Sequence, residues 1–135
     1  MCPPRRVRLA LMLWVAAVGL ISGCSGAASG PVGATLEVVL ASPAQDDGAV
    51  LLTLSGGPMD SLETASPNYT LYPSRSGPST LRVIVTGELG SGPILRIHIP
   101  DESRIPQYSA TIEQIAARTT YTQRDAGAYS LTLTP

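Results

Sequence analysis

Three features of this 135-residue chain predict one antiparallel β-sandwich of seven to eight strands. Apolar and polar residues alternate at period two in five separate segments, the pattern of strands with one buried face. Turn-forming clusters separate the segments at roughly the 8–12-residue spacing of a sandwich. Only one short stretch has a helical alternative.

In chain order, Leu36, Val38 and Leu40 carry the first strand, alternating with Glu37, Val39 and Ala41. The second sets Val50, Leu52 and Leu54 against Leu51 and Thr53, so cover on both faces is expected. Ser61–Ala65 and Tyr69–Tyr72 are weaker strands. Leu81, Val83 and Val85 define the next, and Leu95, Ile97 and Ile99 the one after. These two are expected to pair as a hairpin across Gly87–Pro93, with Ile84 opposite Arg96 and Arg82 opposite His98. Arg82, Arg96 and His98 would then share the outer face, beside Ile84 and Ile94. In Ala110–Arg118 the three-residue spacing of Ile112 and Ile115 admits a helix. The flanking Tyr108, Thr111 and Thr119 to Thr122 favour a strand, and a bulge between the isoleucines gives the same spacing. Tyr129, Leu131 and Leu133 form the last strand. Clusters at 43–48, 55–58, 73–78, 100–106 and 124–127 supply the turns, rich in Gly, Pro, Asp and Ser.

The N-terminus reads differently. Arg5, Arg6 and Arg8 precede an apolar run from Leu9, which ends at Ile21-Ser22-Gly23-Cys24. This resembles the signal peptide and lipobox of bacterial lipoproteins. The resemblance implies cleavage after Gly23 and a diacylglyceryl anchor, with palmitate-type acyl chains, on Cys24. The chain then divides into a signal peptide (1–23), a lipidated flexible tether (24–33) and a sandwich domain (34–135). A spanning helix fits less well, because residues 9–23 would cover about 22 Å of a hydrocarbon core of roughly 30 Å. Ordinary secretory cleavage wants an A-x-A-like end, which Ile21, Ser22 and Gly23 do not provide. Twin-arginine export usually has a large apolar residue where Arg8 stands. Two acyl chains give stable attachment. The small, glycine-rich stretch from Ser25 to Gly33 spans about 15–18 Å as a coil, so the domain is expected close to the membrane. Ser25 does not match the aspartate that retains enteric lipoproteins at the inner membrane, which favours the outer membrane where one exists.

Composition narrows the chemistry. Residues 24–135 hold six arginines against ten carboxylates, with no lysine or phenylalanine anywhere in the chain. A mildly acidic domain of this kind is a poor nucleic-acid binder. Cys24 is the only cysteine after the signal, so no disulfide is available. His98 is the single histidine and sits inside an expected strand, and there is no G-x-S-x-G and no lysine for a Ser–Lys dyad. A hydrolase built on His98 is therefore the third alternative. Zinc lacks ligands, and no cofactor is expected. Asp46-Asp47-Gly48 and Asp101-Glu102-Ser103 offer oxygen ligands for calcium, yet neither has the spaced pattern of a calcium loop. Turn chemistry accounts for both, and no metal site is assigned.

Two kinds of surface are candidates for recognition. Arg82, Arg96 and His98 would make a small basic patch. The competing reading pairs the arginines with Glu37 or Glu113, in surface ion pairs contributing about 0–1 kcal/mol each. The loops Tyr72–Ser79 and Pro100–Gln107, the latter with Asp101, Glu102 and Arg104, are the expected contact loops. Asp125-Ala126-Gly127-Ala128-Tyr129 is similar to the D-x-G-x-Y tyrosine corner of immunoglobulin-like domains. That resemblance implies that Tyr129 opens a late strand and ties its hydroxyl to the preceding turn; cohesin-like sandwiches fit the strand count equally. The expected function is a non-enzymatic, lipid-anchored envelope module that binds a protein partner or serves a structural role. The alternative is a glycan or small-ligand binder, in one form calcium-dependent, with Tyr72 or Tyr108 stacking on the sugar.

Overall fold

The computed structural model describes residues 30–135, so the signal peptide, the lipobox with Cys24 and the tether up to residue 29 lie outside the described residues. Nine strands are formed: β1 (Ala34–Ala41), β2 (Asp47–Ser55), β3 (Ser61–Thr64), β4 (Thr70–Gly77), β5 (Thr80–Leu89), β6 (Gly92–Ile99), β7 (Ser109–Ala117), β8 (Gln123–Arg124) and β9 (Ser130–Thr134). They make a four-stranded sheet, β3-β6-β1-β9, and a five-stranded sheet, β4-β5-β2-β7-β8. All pairings are antiparallel. The sandwich expected from period-two patterning is the fold found, with the two-residue β8 in excess of the expected count.

The core lies between the sheets and is aliphatic. Leu36, Val38 and Leu40 of β1 face Val50, Leu52 and Leu54 of β2, with Val83, Val85, Leu95, Ile97, Ile99 and Ile115 filling the layer. Each side chain of this kind contributes about 1.5–3 kcal/mol when fully buried. Ala110–Arg118 is strand rather than helix. The register of β2 on β7 slips between Leu51 and Leu52, leaving Glu113 as the extra residue between Ile112 and Ile115. That bulge is the physical reason for the three-residue spacing.

Three expectations are corrected. First, β5 and β6 do not form a hairpin. β5 pairs with β2 and β4, whereas β6 pairs with β1 and β3 in the other sheet. The connection arches across the core, with Leu89 buried at its foot. Alternation specifies which face of each strand is buried, and an arch satisfies it as well as a hairpin does. Ile94, expected outside, is fully buried, because the register slip between Val38 and Val39 makes it a bulge turned inward beside Leu95. Second, residues 73–77 are not a turn but the continuation of edge strand β4. Pro73 is tolerated there because an edge strand needs no N–H on its free side. Third, only one face of β2 is covered. Val50, Leu52 and Leu54 are buried, and Leu51 looks onto the open outer face.

The two ends of the sandwich differ. At one end lie the start of β1, the close of β6 and a short 3-10 turn, Glu102–Gln107, N-capped by Asp101. There the carbonyl of Val32 accepts a hydrogen bond from the N–H of Glu102 at 2.7 Å. Gly56 packs against Gln107, and the Tyr108 hydroxyl donates to the Pro58 carbonyl. At the opposite end sit the β1–β2 loop, the β5–β6 connection and the β7–β8 turn.

Candidate functional site

Strand parity gives the two outer faces different chemistry. On the four-stranded sheet, charged side chains of β1, β3 and β6 are mutually paired, and β9 adds the hydroxyls of Ser130 and Thr132. Arg96 Nε donates to Glu37 Oε1 at 3.0 Å between neighbouring strands. His98 takes Thr35 Oγ1 at 3.0 Å on Nδ1, and its Nε2 lies 3.1 Å from Glu63 Oε1 without an aligned hydrogen bond. Hydroxyl, imidazole and carboxylate are thus adjacent. They are ordinary cross-strand neighbours, since Thr35 and Ser61 pair directly with His98 and Glu63 pairs with Arg96.

The Arg82, Arg96 and His98 patch is not assembled. Arg82 belongs to the other sheet, where it pairs with Glu113, which also accepts from Thr53. The arrangement is the ion-paired one, Arg96 with Glu37 and Arg82 with Glu113. Hydrogen bonds from Thr53 first, then Arg82, hold the Glu113 carboxyl below its ordinary pKa. A depressed carboxyl pKa adds stability that is present above the unfolded-state value and lost as pH falls through the folded-state one. Glu113→Gln is accordingly expected to lower stability modestly at pH 7 and to converge on wild type near pH 3, flattening the acid limb of the stability–pH curve, as followed by urea midpoints from pH 7 to 3.

The outer face of the five-stranded sheet is largely uncharged. Tyr72, Ile84, Leu51 and Gln114 stand in one cross-strand row over four strands. The next row toward the β7–β8 turn holds Thr70, Thr86, Ala49, Ala116 and Gln123. Tyr72 is 57% exposed and Ile84 40%. Tyr121, on the β7–β8 turn, is 85% exposed. It overhangs a groove of about 320 Å³ whose lining includes Leu51, Ile84, Gln114 and Gln123. Its backbone has φ of 57°, a left-handed conformation unusual for a bulky residue. The charges that border this surface are partnered: Arg82 with Glu113, and Arg118 with Glu88 at 2.7 Å.

The remaining candidate residues fall at the two ends. Asp101 accepts from both the backbone N–H and the hydroxyl of Ser103, at 3.0 and 2.6 Å. These two bonds, the hydroxyl's first, lower its pKa. Glu102 and Arg104 are exposed on the same turn. At the opposite end Asp47 is fully buried. Its Oδ2 accepts from the Ser42 hydroxyl at 2.5 Å and its Oδ1 from the Tyr129 hydroxyl at 2.8 Å. Arg124 reaches Asp46 at 2.7 Å and lies 3.7 Å from Asp47. Burial first, and then the bond to Asp47, raise the Tyr129 pKa. Tyr129 lies immediately before the last strand, as the C-cap of the 126–128 turn, and its hydroxyl crosses to Asp47 instead of returning to that turn. That turn is closed by Asp125, which accepts from the Gly127 N–H. Asp46 and Asp47 engage a guanidinium and two hydroxyls, and among the described residues no three His, Cys, Asp or Glu side chains converge as a metal site. Tyr108 is buried and unavailable for stacking, while Tyr72 is open.

The sequence does not mark Leu51 or Tyr121 as surface-site residues, and it marks Asp47 as a turn residue rather than as the buried acceptor of two hydroxyls. The parity of β2 points Leu51 outward, but nothing local tells whether that face is covered. No protein-family model, curated protein or solved structure matches this chain.

Proposed function

We propose that this protein is a lipid-anchored module of the bacterial cell envelope that binds a partner protein, without catalysis, through the outer face of its five-stranded sheet. The lipobox-like Ile21–Cys24 supports attachment through Cys24, extracytoplasmic and in the outer membrane where the organism has one. The observation that carries the binding reading is the contrast between the two faces. One presents ion pairs, and the other presents Tyr72, Ile84, Leu51 and Tyr121 inside a rim of partnered charge. An aromatic and aliphatic centre depleted of charge, with a polar rim, is the composition of a protein interface. Tyrosine is among the residues most enriched at binding hot spots.

A second reading has its own support. Tyr72 and Tyr121 are both exposed and border one face, and the amides of Gln114 and Gln123 line the groove beside Tyr121. Such a surface also suits a neutral glycan.

The test compares wild type, Ile84→Glu on the open face and Glu37→Gln on the ion-paired face, each carried on full-length protein. Cys24→Ser is expected to move the protein from the membrane fraction to the soluble one. Crosslinking in intact cells is expected to yield one stoichiometric protein adduct with wild type and Glu37→Gln, and none with Ile84→Glu. An adduct that survives Ile84→Glu rejects this face as the site. Binding to a neutral glycan array that is lost in Tyr121→Ala transfers the function to the second reading. Turnover on hydrolase substrates that is lost in His98→Ala overturns both.

A further inference from the structure

Resting on lipidation of Cys24, we propose that the start of β1 sets the end at which the tether leaves the domain, and that the hydrogen bond from the Glu102 N–H to the Val32 carbonyl shortens the free tether, so that the Asp101–Tyr108 end faces the lipid surface. The interaction surface is the end carrying Val32, Glu102 and Arg104, and its partner is the bilayer.

The chain enters β1 at Ala34, paired with Ile99, so the tether arrives where the 3-10 turn follows β6. The Val32 carbonyl is held by the Glu102 N–H at 2.7 Å, which places the last anchored backbone atom two residues before the strand. Val32 is 57% exposed, and a side chain at Gly30 would meet nothing within 4 Å. Covalent geometry limits the eight Cα steps from Cys24 to Val32 to about 29 Å. β1 alone is about 23 Å long at roughly 3.3 Å per residue. Turning the opposite end, with Ser42 and the β7–β8 turn, toward the bilayer would require the tether to run back along the sandwich and use nearly all of its span. The arrangement with the tether end down requires no such stretch.

Two consequences follow for the surfaces named above. Asp101, Glu102 and Arg104 face lipid headgroups, so the contact loop expected from sequence is the part least accessible to a soluble partner. The open face of the five-stranded sheet rises from the membrane along its strands, and Tyr121 stands at the far end.

Glu102 offers a selective test because it follows the N-cap Asp101, whose φ of −144° and ψ of 108° are extended. Proline is favoured at the first position of a helical turn and restricts the preceding residue to extended backbone. Glu102→Pro therefore removes the donor to Val32 while respecting the turn. The full chain, lipidated on Cys24, is reconstituted in phosphatidylcholine vesicles containing headgroup-nitroxide lipid. A thiol-reactive fluorophore is placed at Arg104→Cys or Thr119→Cys, both exposed positions. The Arg104 label is expected to be quenched several-fold more than the Thr119 label, and Glu102→Pro to shrink that contrast. Co-sedimentation with equal quenching at the two positions overturns the orientation while leaving the anchor intact. A contrast unchanged by Glu102→Pro overturns the role of the hydrogen bond. Failure to sediment with vesicles overturns the lipid anchor, and the orientation with it.

Discussion

Gly56→Ala is expected to remove more than about 4 kcal/mol of stability, enough to unfold a domain whose total is of order 5–15 kcal/mol. Two costs coincide. Gly56 has φ of 125°, a region that side chains rarely occupy. A Cβ there would also lie 2.0 Å from the Gln107 carbonyl oxygen and 2.6 Å from its carbon and from Tyr108 Cα. These are backbone atoms at the close of the 3-10 turn, and no rotamer change moves them. The turn cannot swing away either, because the Tyr108 hydroxyl is bonded to the Pro58 carbonyl. Gly77→Ala is the control: its nearest contact would be Thr80 Cβ at 3.9 Å, and a change within about 0.5 kcal/mol is expected. Urea unfolding followed by circular dichroism measures both. A Gly56→Ala domain with a near wild-type midpoint would show that the β2–β3 turn relaxes independently of the 107–108 backbone.

Asp47→Ala is the second large effect, expected at about 3 kcal/mol. The carboxylate is fully buried, and its loss strands two hydroxyls and weakens the hold on Arg124. Ser42 is then left with its remaining work, accepting from the N–H groups of Ala44 and Gln45 in the same loop. Tyr129→Phe alone is expected to cost about 1 kcal/mol. The double variant should cost less than the sum, because both changes remove one bond. Strict additivity would mean that the hydroxyl and the carboxylate stabilise the domain through other partners.

The sequence makes the strands visible wherever one face is buried and the other wet. It also makes the Glu113 bulge visible, because Ile112 and Ile115 cannot both face the core on an unbroken strand. What it hides is the partner of each strand. Leu81–Val85 and Leu95–Ile99 present the same alternation to a hairpin and to an arch, and the difference lies in Leu89 and Ile94, both turned into the core. The basic patch fails with that pairing, since Arg82 faces outward as expected but from the opposite sheet to Arg96 and His98. Residues 73–77 looked like a loop because an edge strand at the open side of a sandwich can carry Pro73, Ser74, Arg75 and Ser76 without burying any of them. The open face escaped notice for the complementary reason, that Leu51 reads as buried until the absence of a covering layer above it is known. Asp47 looked like a turn residue beside Asp46, and its partners Ser42 and Tyr129 are brought to it only by the tertiary fold.

The place of β1, between β6 and β9, bears on how the chain reaches its native state. The first strand cannot complete its ladder until the last has arrived, with Glu37 beside Thr134 and Ala41 beside Ser130. Closing so long a loop carries an entropic penalty, and topologies dominated by such pairings fold slowly. During synthesis from the N-terminus, β1 is therefore short of one neighbour until the final residues follow. The finished ladder of β1 is guarded on one side by β6 and on the other by β9, an edge strand whose release would reopen it.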